Sequence, residues 1–326
     1  MIMSLESATL ESDGRTRLPH VAVVIVNYRT PLETIACVKS LAWQTHSNLS
    51  VIVVDNDSPD GSAELLDAEL SNVELIRAPK NGGYTSGNNL GIESALAHGA
   101  DYVLVLNPDT RALNDCFIAR LIEFAESHPD VAAVGPRVHL RQVGHVQNTI
   151  LEFPWLTRRV GGVMKRIAGR RLPARSGNDP RPAEVLNGVC VLFRAEALFD
   201  VGTFDERTFA YIEDVDWGYR AAENGWLLWY LPVDSIVHEQ KEAGYDRGSM
   251  VDFLLKRNTL YFLLKHRKPV QAAAYTLSTL SLGLAHWGMR RLRDRRWLTG
   301  LARAYGGLWL GRWDAVMGRP NLERHP

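Results

Sequence analysis

The run Val21-Ala22-Val23-Val24-Ile25-Val26-Asn27-Tyr28 decides how the rest of the chain is read. Six apolar residues without alternation, most of them β-branched, predict a strand buried on both faces, as strands are inside parallel sheets. Next, Thr30-Pro31-Leu32-Glu33 has the spacing of a capping box with proline at N1, and Ile35, Val38, Leu41 and Ala42 continue at helical spacing. Val51–Val54 predicts a second buried strand. Asp57-Ser58-Pro59 opens a helix running through Glu64–Leu70, and Val73–Ile76 forms a short strand. A helix over Leu90–His98, a strand over Tyr102–Leu106 and a helix over about 115–127 follow. Strands alternating with helices in this way imply an α/β fold, with a mostly parallel sheet and right-handed crossovers.

Beyond Gly135 the alternation fades. Residues 136–183 are rich in Arg, Gly and Pro and read as a partly mobile basic insertion in a domain spanning 20–248. Val185–Phe193 and Leu227–Leu231 are strand-like, and from Ser249 the pattern is helical, with Phe253/Leu254 and Leu260/Tyr261 seven residues apart. At the other end, residues 1–19 are polar and read as a disordered lead-in, without the apolar core of a secretory signal.

The chain has 326 residues, 37 Lys+Arg and 37 Asp+Glu, a formal charge of zero that argues against a nucleic-acid binder. That zero conceals a split. Residues 1–255 carry 23 basic and 34 acidic side chains, whereas residues 256–326 carry 14 basic and 3 acidic ones. Residues 158–181 add a second basic stretch of eight Arg/Lys against one Asp. Three cysteines, Cys37, Cys116 and Cys190, are too few and too scattered for a disulfide framework or a zinc cluster.

In open parallel sheets, ligands bind at the carboxyl ends of the strands. Those ends carry Asn27-Tyr28-Arg29, Asp55-Asn56-Asp57 and Asn107-Pro108-Asp109. Each cluster alone is explained by the preference of Asp and Asn for turns; three at successive strand ends suggest one shared site. No G-x-G-x-x-G follows the first strand, which leaves a dinucleotide site weakly supported, and no G-x-x-x-x-G-K-[ST] occurs, which excludes a P-loop.

Further motifs follow in order. Asn81-Gly82-Gly83-Tyr84-Thr85-Ser86-Gly87-Asn88-Asn89 is a Gly/Asn-rich stretch; Gly202-x-Phe204-Asp205-Glu206, Glu213-Asp214-x-Asp216-x-x-x-Arg220, Gly225-Trp226 and His238 come later. Together with the strand ends, this series resembles the family 2 inverting glycosyltransferases of the GT-A fold, closest to their rhamnosyltransferase-like bacterial branch. The resemblance implies a Rossmann-like GT-A domain that binds a dTDP- or UDP-sugar. Asn27, Tyr28, Asp55, Asn56, Gly82, Gly83, Asn88 and Asn107 would contact the donor, with Asp55 reading the pyrimidine and the glycine backbone approaching phosphate or sugar. Asp109, at the place of the metal-binding D-x-D, and His238 would hold a divalent cation, Mg²⁺ or Mn²⁺. Here Asn107 replaces the first Asp of that motif, removing one charge. The resemblance makes Asp214 the base that deprotonates the acceptor hydroxyl; Glu213, Asp216, Trp217 and Arg220, beside Tyr211, would contact acceptor or sugar.

A cation suits this chemistry, because breaking a sugar–phosphate bond leaves negative charge on a diphosphate. The implied donor is dTDP-L-rhamnose and the implied acceptor a polyprenyl-diphosphate-linked sugar, in cell-wall or surface-polysaccharide assembly. Alternatives are another nucleotide-sugar donor, a UDP-hexose or UDP-galactofuranose, or a non-catalytic nucleotide-sugar or glycan-binding module.

The region 249–326 reads as a basic helical extension. Residues 269–289 contain no charged side chain, yet Gln271, Thr276, Ser278, Thr279, Ser281 and His286 make them polar for a span. Flanking arginines and Trp287, Trp297, Trp309 and Trp313 favour a helix lying on anionic lipid. Arg158, Arg159, Lys165, Arg166, Arg170 and Arg171 give the insertion the same character. A peripheral place on the cytoplasmic side of the bacterial plasma membrane follows from this reading. A helical pair packed on the catalytic domain is the alternative.

Overall fold

The structure, a computed structural model, describes residues 9–10, 16–140, 146–147, 178–239, 249–277 and 279. Its contacts divide the chain into two units, Met1–Glu206 with Glu213–Gln240, and Arg207–Ile212 with Lys241–Pro326.

In the first unit, β1 (Thr9–Leu10) and β2 (Thr16–Arg17) pair antiparallel, so the lead-in expected to be disordered contains a short ladder. Arg17 anchors it through two bonds to the Asp101 carboxylate, at 3.0 and 2.9 Å. The α/β alternation then unfolds as β3 (Val21–Asn27), α1 (Pro31–Leu41), β4 (Leu49–Asp55), α2 (Ser62–Glu69), β5 (Glu74–Arg77), α3 (Gly83–Ala97) and β6 (Tyr102–Leu106). A short β7 (Thr110–Ala112), α4 (Phe117–Glu126), β8 (Val131–Leu140) and β9 (Val146–Gln147) follow. The unit ends with β10 (Arg181–Ala183), β11 (Cys190–Arg194), α5 (Ala195–Val201), α6 (Glu213–Glu223) and β12 (Leu227–His238).

The sheet runs β10-β12-β8-β11-β6-β3-β4-β5, with β7 paired to β12 and β9 to β8. β3 lies parallel to β4 and β6, whereas β11 is antiparallel to β6 and β8, so the sheet is mixed. Every residue of β3 is buried. Ala22, Val24 and Val26 join the core under α3, α5 and α6, and Val21, Val23 and Ile25 join the one under α1 and α4. A strand covered by helices on both faces needs apolar residues on both, which is why the opening run does not alternate.

Four local expectations are corrected. Thr30 makes no capping bond to α1; its hydroxyl points to Asn27 Oδ1 at 3.4 Å. The turn before α2 extends to Gly61, and Asp60 holds it by accepting from the Ser62 N–H and hydroxyl at 3.2 and 2.5 Å. Residues 131–140, whose first half sits before the expected insertion, form one long strand in the middle of the sheet. Pro136, which lacks an N–H, lies where the register of β8 with β12 shifts.

The fourth correction concerns the glycines. The helix expected from Leu90 begins at Gly83. Glycine is a poor helix former, so propensity argues for a loop here, and packing overrides it. A Cβ on Gly87 would lie 2.7 Å from Val26 Cγ1, and one on Gly91 2.4 Å from Val24 Cγ1. The missing side chains let α3 press onto β3. Gly91→Ala is therefore expected to destabilise the fold by about 1–3 kcal/mol through overpacking. The thermal melting temperature checks this, and an unchanged value would contradict it.

In the second unit, α7 (Ser249–Lys265) buries Leu254, Leu260, Tyr261, Phe262 and Leu263. Asn258 Nδ2 donates to the carbonyls of Thr208, Ala210 and Tyr211 at 2.8, 2.7 and 2.8 Å. That amide holds a loop in which Phe209, Tyr211 and Ile212 have φ of 64°, 69° and 73°, strained for side-chain-bearing residues. Residues 269–277 are helical, and no described helix is long and apolar enough to cross a membrane. Most of the two basic stretches, including Arg158–Arg171 and residues 280–326, lies outside the described residues.

Candidate active site

Because β3, β4 and β6 run parallel, Asn27, Asp55 and Asn107 emerge at one edge of the sheet. Asn27 Nδ2 donates to Asp55 Oδ1 at 2.7 Å, and the Ser58 N–H donates to Asp55 Oδ2 at 3.1 Å. Asp55 is 3% exposed; a carboxylate has about four lone-pair directions, so it retains acceptor capacity beyond these two bonds. Two residues past each strand residue, Arg29 (φ 58°) and Asp57 (φ 60°) take the left-handed conformation and turn the chain sharply. Tyr28, between Asn27 and Arg29 in the chain, is half-buried.

Asn56 ties the start of α3 to this edge. Its Nδ2 donates to Asn81 Oδ1 and the Gly83 carbonyl at 3.1 and 3.0 Å, and its Oδ1 accepts from the Gly82 N–H at 3.3 Å. The Gly83 N–H donates to Asn81 Oδ1 at 2.9 Å. The amides of Gly82 and Gly83, expected to face phosphate or sugar, are thus engaged by side chains. Buried Asn88 donates to the Tyr84 carbonyl at 2.8 Å, one turn back in the helix.

Sheet register explains how two residues 129 positions apart meet. β7 pairs with β12 so that Thr110 faces His238, and the Glu239 N–H donates to the Asp109 carbonyl at 2.8 Å. Asp109 is thereby carried beside His238, with Nε2 3.1 Å from Asp109 Oδ1. The other ring nitrogen, Nδ1, lies 2.7 Å from Gln147 Oε1. An amide oxygen only accepts, so Nδ1 carries the proton there. Nε2 then presents its lone pair beside a carboxylate oxygen, two electron-pair donors that a cation between them would join. Their separation is that of two adjacent ligands about 2.1 Å from one hard cation, which is about 3 Å for octahedral geometry. The donor set thus fits a divalent cation. Among the described residues no group of three or more His, Cys, Asp or Glu is assembled. Asn107 Oδ1 is buried without a hydrogen-bond partner.

The second cluster sits at the start of α6. Glu213 and Asp214 line a cavity with Tyr84, Leu186, Gly188 and Phe204. Asp214 Oδ1 accepts from the Val215 N–H at 2.8 Å, and the Gly188 N–H also bonds this carboxylate. Burial pushes both acids up, Asp214 to about 6 and Glu213, which additionally feels its neighbour's charge, to about 8. At neutral pH the pair therefore carries about one negative charge. Glu213 Oε2 is buried without a partner. Tyr84, which no motif reading singled out as a site residue, donates to the Gly188 carbonyl at 2.8 Å. Burial first, then the charges of Glu213, Asp214 and Asp109, raise its hydroxyl pKa, so it lies within electrostatic reach of both clusters. Its only sequence signal is a lone aromatic within the Gly/Asn-rich stretch.

Trp217 lines this cavity too, and it, Asp216 and Arg220, the three other expected sugar contacts, each have partners within the protein. Trp217 is 2% exposed, packs edge-on against Phe193 and donates from Nε1 to the Gly202 carbonyl at 2.8 Å. Buried Asp216 accepts from Arg220 Nε at 2.9 Å, and Arg220 also donates to the Val201 and Thr203 carbonyls at 2.5 and 2.6 Å. These side chains clamp α6 to the segment after α5. Helical spacing sets Asp216 and Trp217 on the same buried face as Glu213, so this face of α6 both lines the cavity and packs into the core. Tyr211 belongs to the second unit, where its carbonyl is held by Asn258.

Residues 19–259 match the model of the glycosyltransferase like family 2. The chain is 31% identical over 298 residues to the N-acetylglucosaminyl-diphospho-decaprenol L-rhamnosyltransferase of Mycobacterium tuberculosis, covering 84% of this chain and 95% of that protein. It is 32% identical over 209 residues to the galactofuranosyltransferase GlfT1 of the same species, covering 63% and 65%. Among solved structures, the mannosyltransferase PcManGT from Pyrobaculum calidifontis, in complex with GDP-Man and Mn²⁺, superposes with a TM-score of 0.53 at 16% identity, covering 93% of this chain and 88% of that one. Mixed sheet, strand-end site and matches agree: the fold is GT-A, and the chain is a glycosyltransferase that belongs to family 2.

Proposed function

We propose that the enzyme transfers L-rhamnose from dTDP-L-rhamnose, with inversion, onto a sugar carried by polyprenyl diphosphate. The observation that carries the substrate reading is the match to the M. tuberculosis rhamnosyltransferase, which extends over 95% of that protein. The strand-end edge would hold the nucleotide, with Asn27, Tyr28, Asp55 and Asn56 around the base and Asn107 near the sugar. Asp109 and His238 would hold the divalent cation. When bound, such a cation neutralises the charge that develops on the departing diphosphate. Asp214 takes the acceptor hydroxyl's proton as that oxygen bonds the anomeric carbon, from the side opposite the breaking bond to dTDP. Glu213, whose carboxyl is pushed up by burial and by its neighbour's charge, would donate to the acceptor. The acceptor's lipid places the enzyme peripherally on the cytoplasmic side of the plasma membrane, against anionic lipid.

A base pushed up to about 6 gives the rate an acid limb. The active form is the ionised one, so kcat/KM is expected to fall as pH drops through about 6, tenfold per unit below it. A pH–rate profile checks this; a flat profile down to pH 4.5 would exclude Asp214 as the titrating base. The donor class is tested by thermal shift with dTDP-, UDP- and GDP-sugars, with and without Mg²⁺ or Mn²⁺. The proposal expects cation-dependent stabilisation by dTDP-L-rhamnose. The GlfT1 match makes UDP-galactofuranose the competing donor, and stabilisation by GDP-sugars alone would overturn the pyrimidine assignment.

A further inference from the structure

Gln147 belongs to none of the motifs and stands inside the stretch that composition marks as an insertion. The fold gives it a definite place. β9 pairs with β8 so that Gln147 faces Val138, and β8 in turn runs parallel to β12 with Leu140 facing His238. The side chain reaches across this ladder, and Oε1 stops 2.7 Å from His238 Nδ1. His238 is 5% exposed, so bulk water offers its ring little alternative partner.

We propose that Gln147 is a positioning residue: its side-chain carbonyl fixes the proton of His238 on Nδ1 and keeps the Nε2 lone pair aimed at the cation held with Asp109. Metal-binding histidines generally present one nitrogen to the metal and donate the other N–H to a carbonyl or carboxylate, which sets the tautomer and the ring plane. Here Nε2 faces Asp109 Oδ1 at 3.1 Å and Nδ1 faces Gln147. A leucine at 147 would leave Nδ1 without its acceptor in a nearly closed environment. The proton would then move to Nε2 to pair with Asp109, and the ring would present a donor where a lone pair is needed. The inference rests on the cation reading of the Asp109–His238 pair.

The test measures Mn²⁺ affinity by electron paramagnetic resonance on the full chain with dTDP present, for wild type, Gln147→Leu, Gln147→Glu, His238→Ala and Asp109→Ala. The expected result is that Gln147→Leu binds Mn²⁺ about ten- to a hundredfold more weakly. Gln147→Glu, which keeps an acceptor opposite Nδ1, should bind at least as tightly as wild type, and melting temperatures of both variants should match. Wild-type affinity in Gln147→Leu, with binding lost in His238→Ala and Asp109→Ala, would overturn the inference and leave the cation site standing. Wild-type affinity in all four variants, or no Mn²⁺ binding by the wild type, would overturn the cation site and the inference together. Weak binding in both Gln147 variants with lowered melting temperatures would make Gln147 a packing residue and overturn it too.

Discussion

Asp214→Asn is expected to lower kcat by about 10²–10⁴-fold, the span that general-base catalysis contributes, while leaving nucleotide binding intact. The substitution keeps shape and keeps the oxygen that accepts from the Val215 N–H at 2.8 Å, so the start of α6 should stay in place. What it removes is the ability to take a proton. Stability provides an independent control. The fold holds Asp214 above the ordinary carboxylate value through burial, so the ionised form is disfavoured by folding. Its contribution to stability is present below the unfolded pKa and is lost as pH rises through about 6. A neutral asparagine escapes that loss, and the melting temperature at pH 7 should equal or exceed that of the wild type. Turnover like the wild type in this variant would remove Asp214 from the base role. Slow turnover with a lowered melting temperature would instead mean that the substitution disturbed the helix start.

Replacing either member of the Asp109–His238 pair is the second large expected effect. Cation stabilisation of transition-state charge amounts to several kcal/mol, so Asp109→Ala and His238→Ala should each lower kcat/KM by about a hundredfold or more. Since both side chains would hold the same ion, the double variant should lose far less than the product of the single losses. Chelation by EDTA should reduce the wild type to the level of the variants and leave the variants nearly unchanged. Full activity of the wild type in EDTA, or multiplicative losses in the double variant, would show that the two residues act separately.

Much of this site was legible from residue types because strand ends are marked in the chain. The buried run Val21–Val26 announces its own end at Asn27, and the same logic locates Asp55 and Asn107. The pairing of Asp109 with His238 was legible only through family resemblance: nothing local indicates that β7 would fold onto the end of β12 with Thr110 opposite His238. The glycines were misread for a physical reason. Glycine's cost in a helix is visible in a sequence, whereas the close approach of α3 to Val24 and Val26 that requires it is a tertiary property. Asp216 and Arg220 carried a warning, since an acid and an arginine four residues apart are often a pair on one helix rather than ligands for something else. Gln147 carried no signal, because its role depends on the register of β9 with β8.

The most direct test of the central claim is transfer itself. Purified enzyme would be given dTDP-L-rhamnose or UDP-galactofuranose, a polyprenyl-diphosphate-linked N-acetylglucosamine and Mn²⁺, and the product's glycosidic bond would be assigned by NMR. The account predicts cation-dependent transfer of rhamnose, with anomeric configuration opposite to that of the donor. Transfer of galactofuranose with dTDP-L-rhamnose inert would contradict the donor reading. A rhamnosyl product of unchanged configuration would contradict single displacement assisted by Asp214.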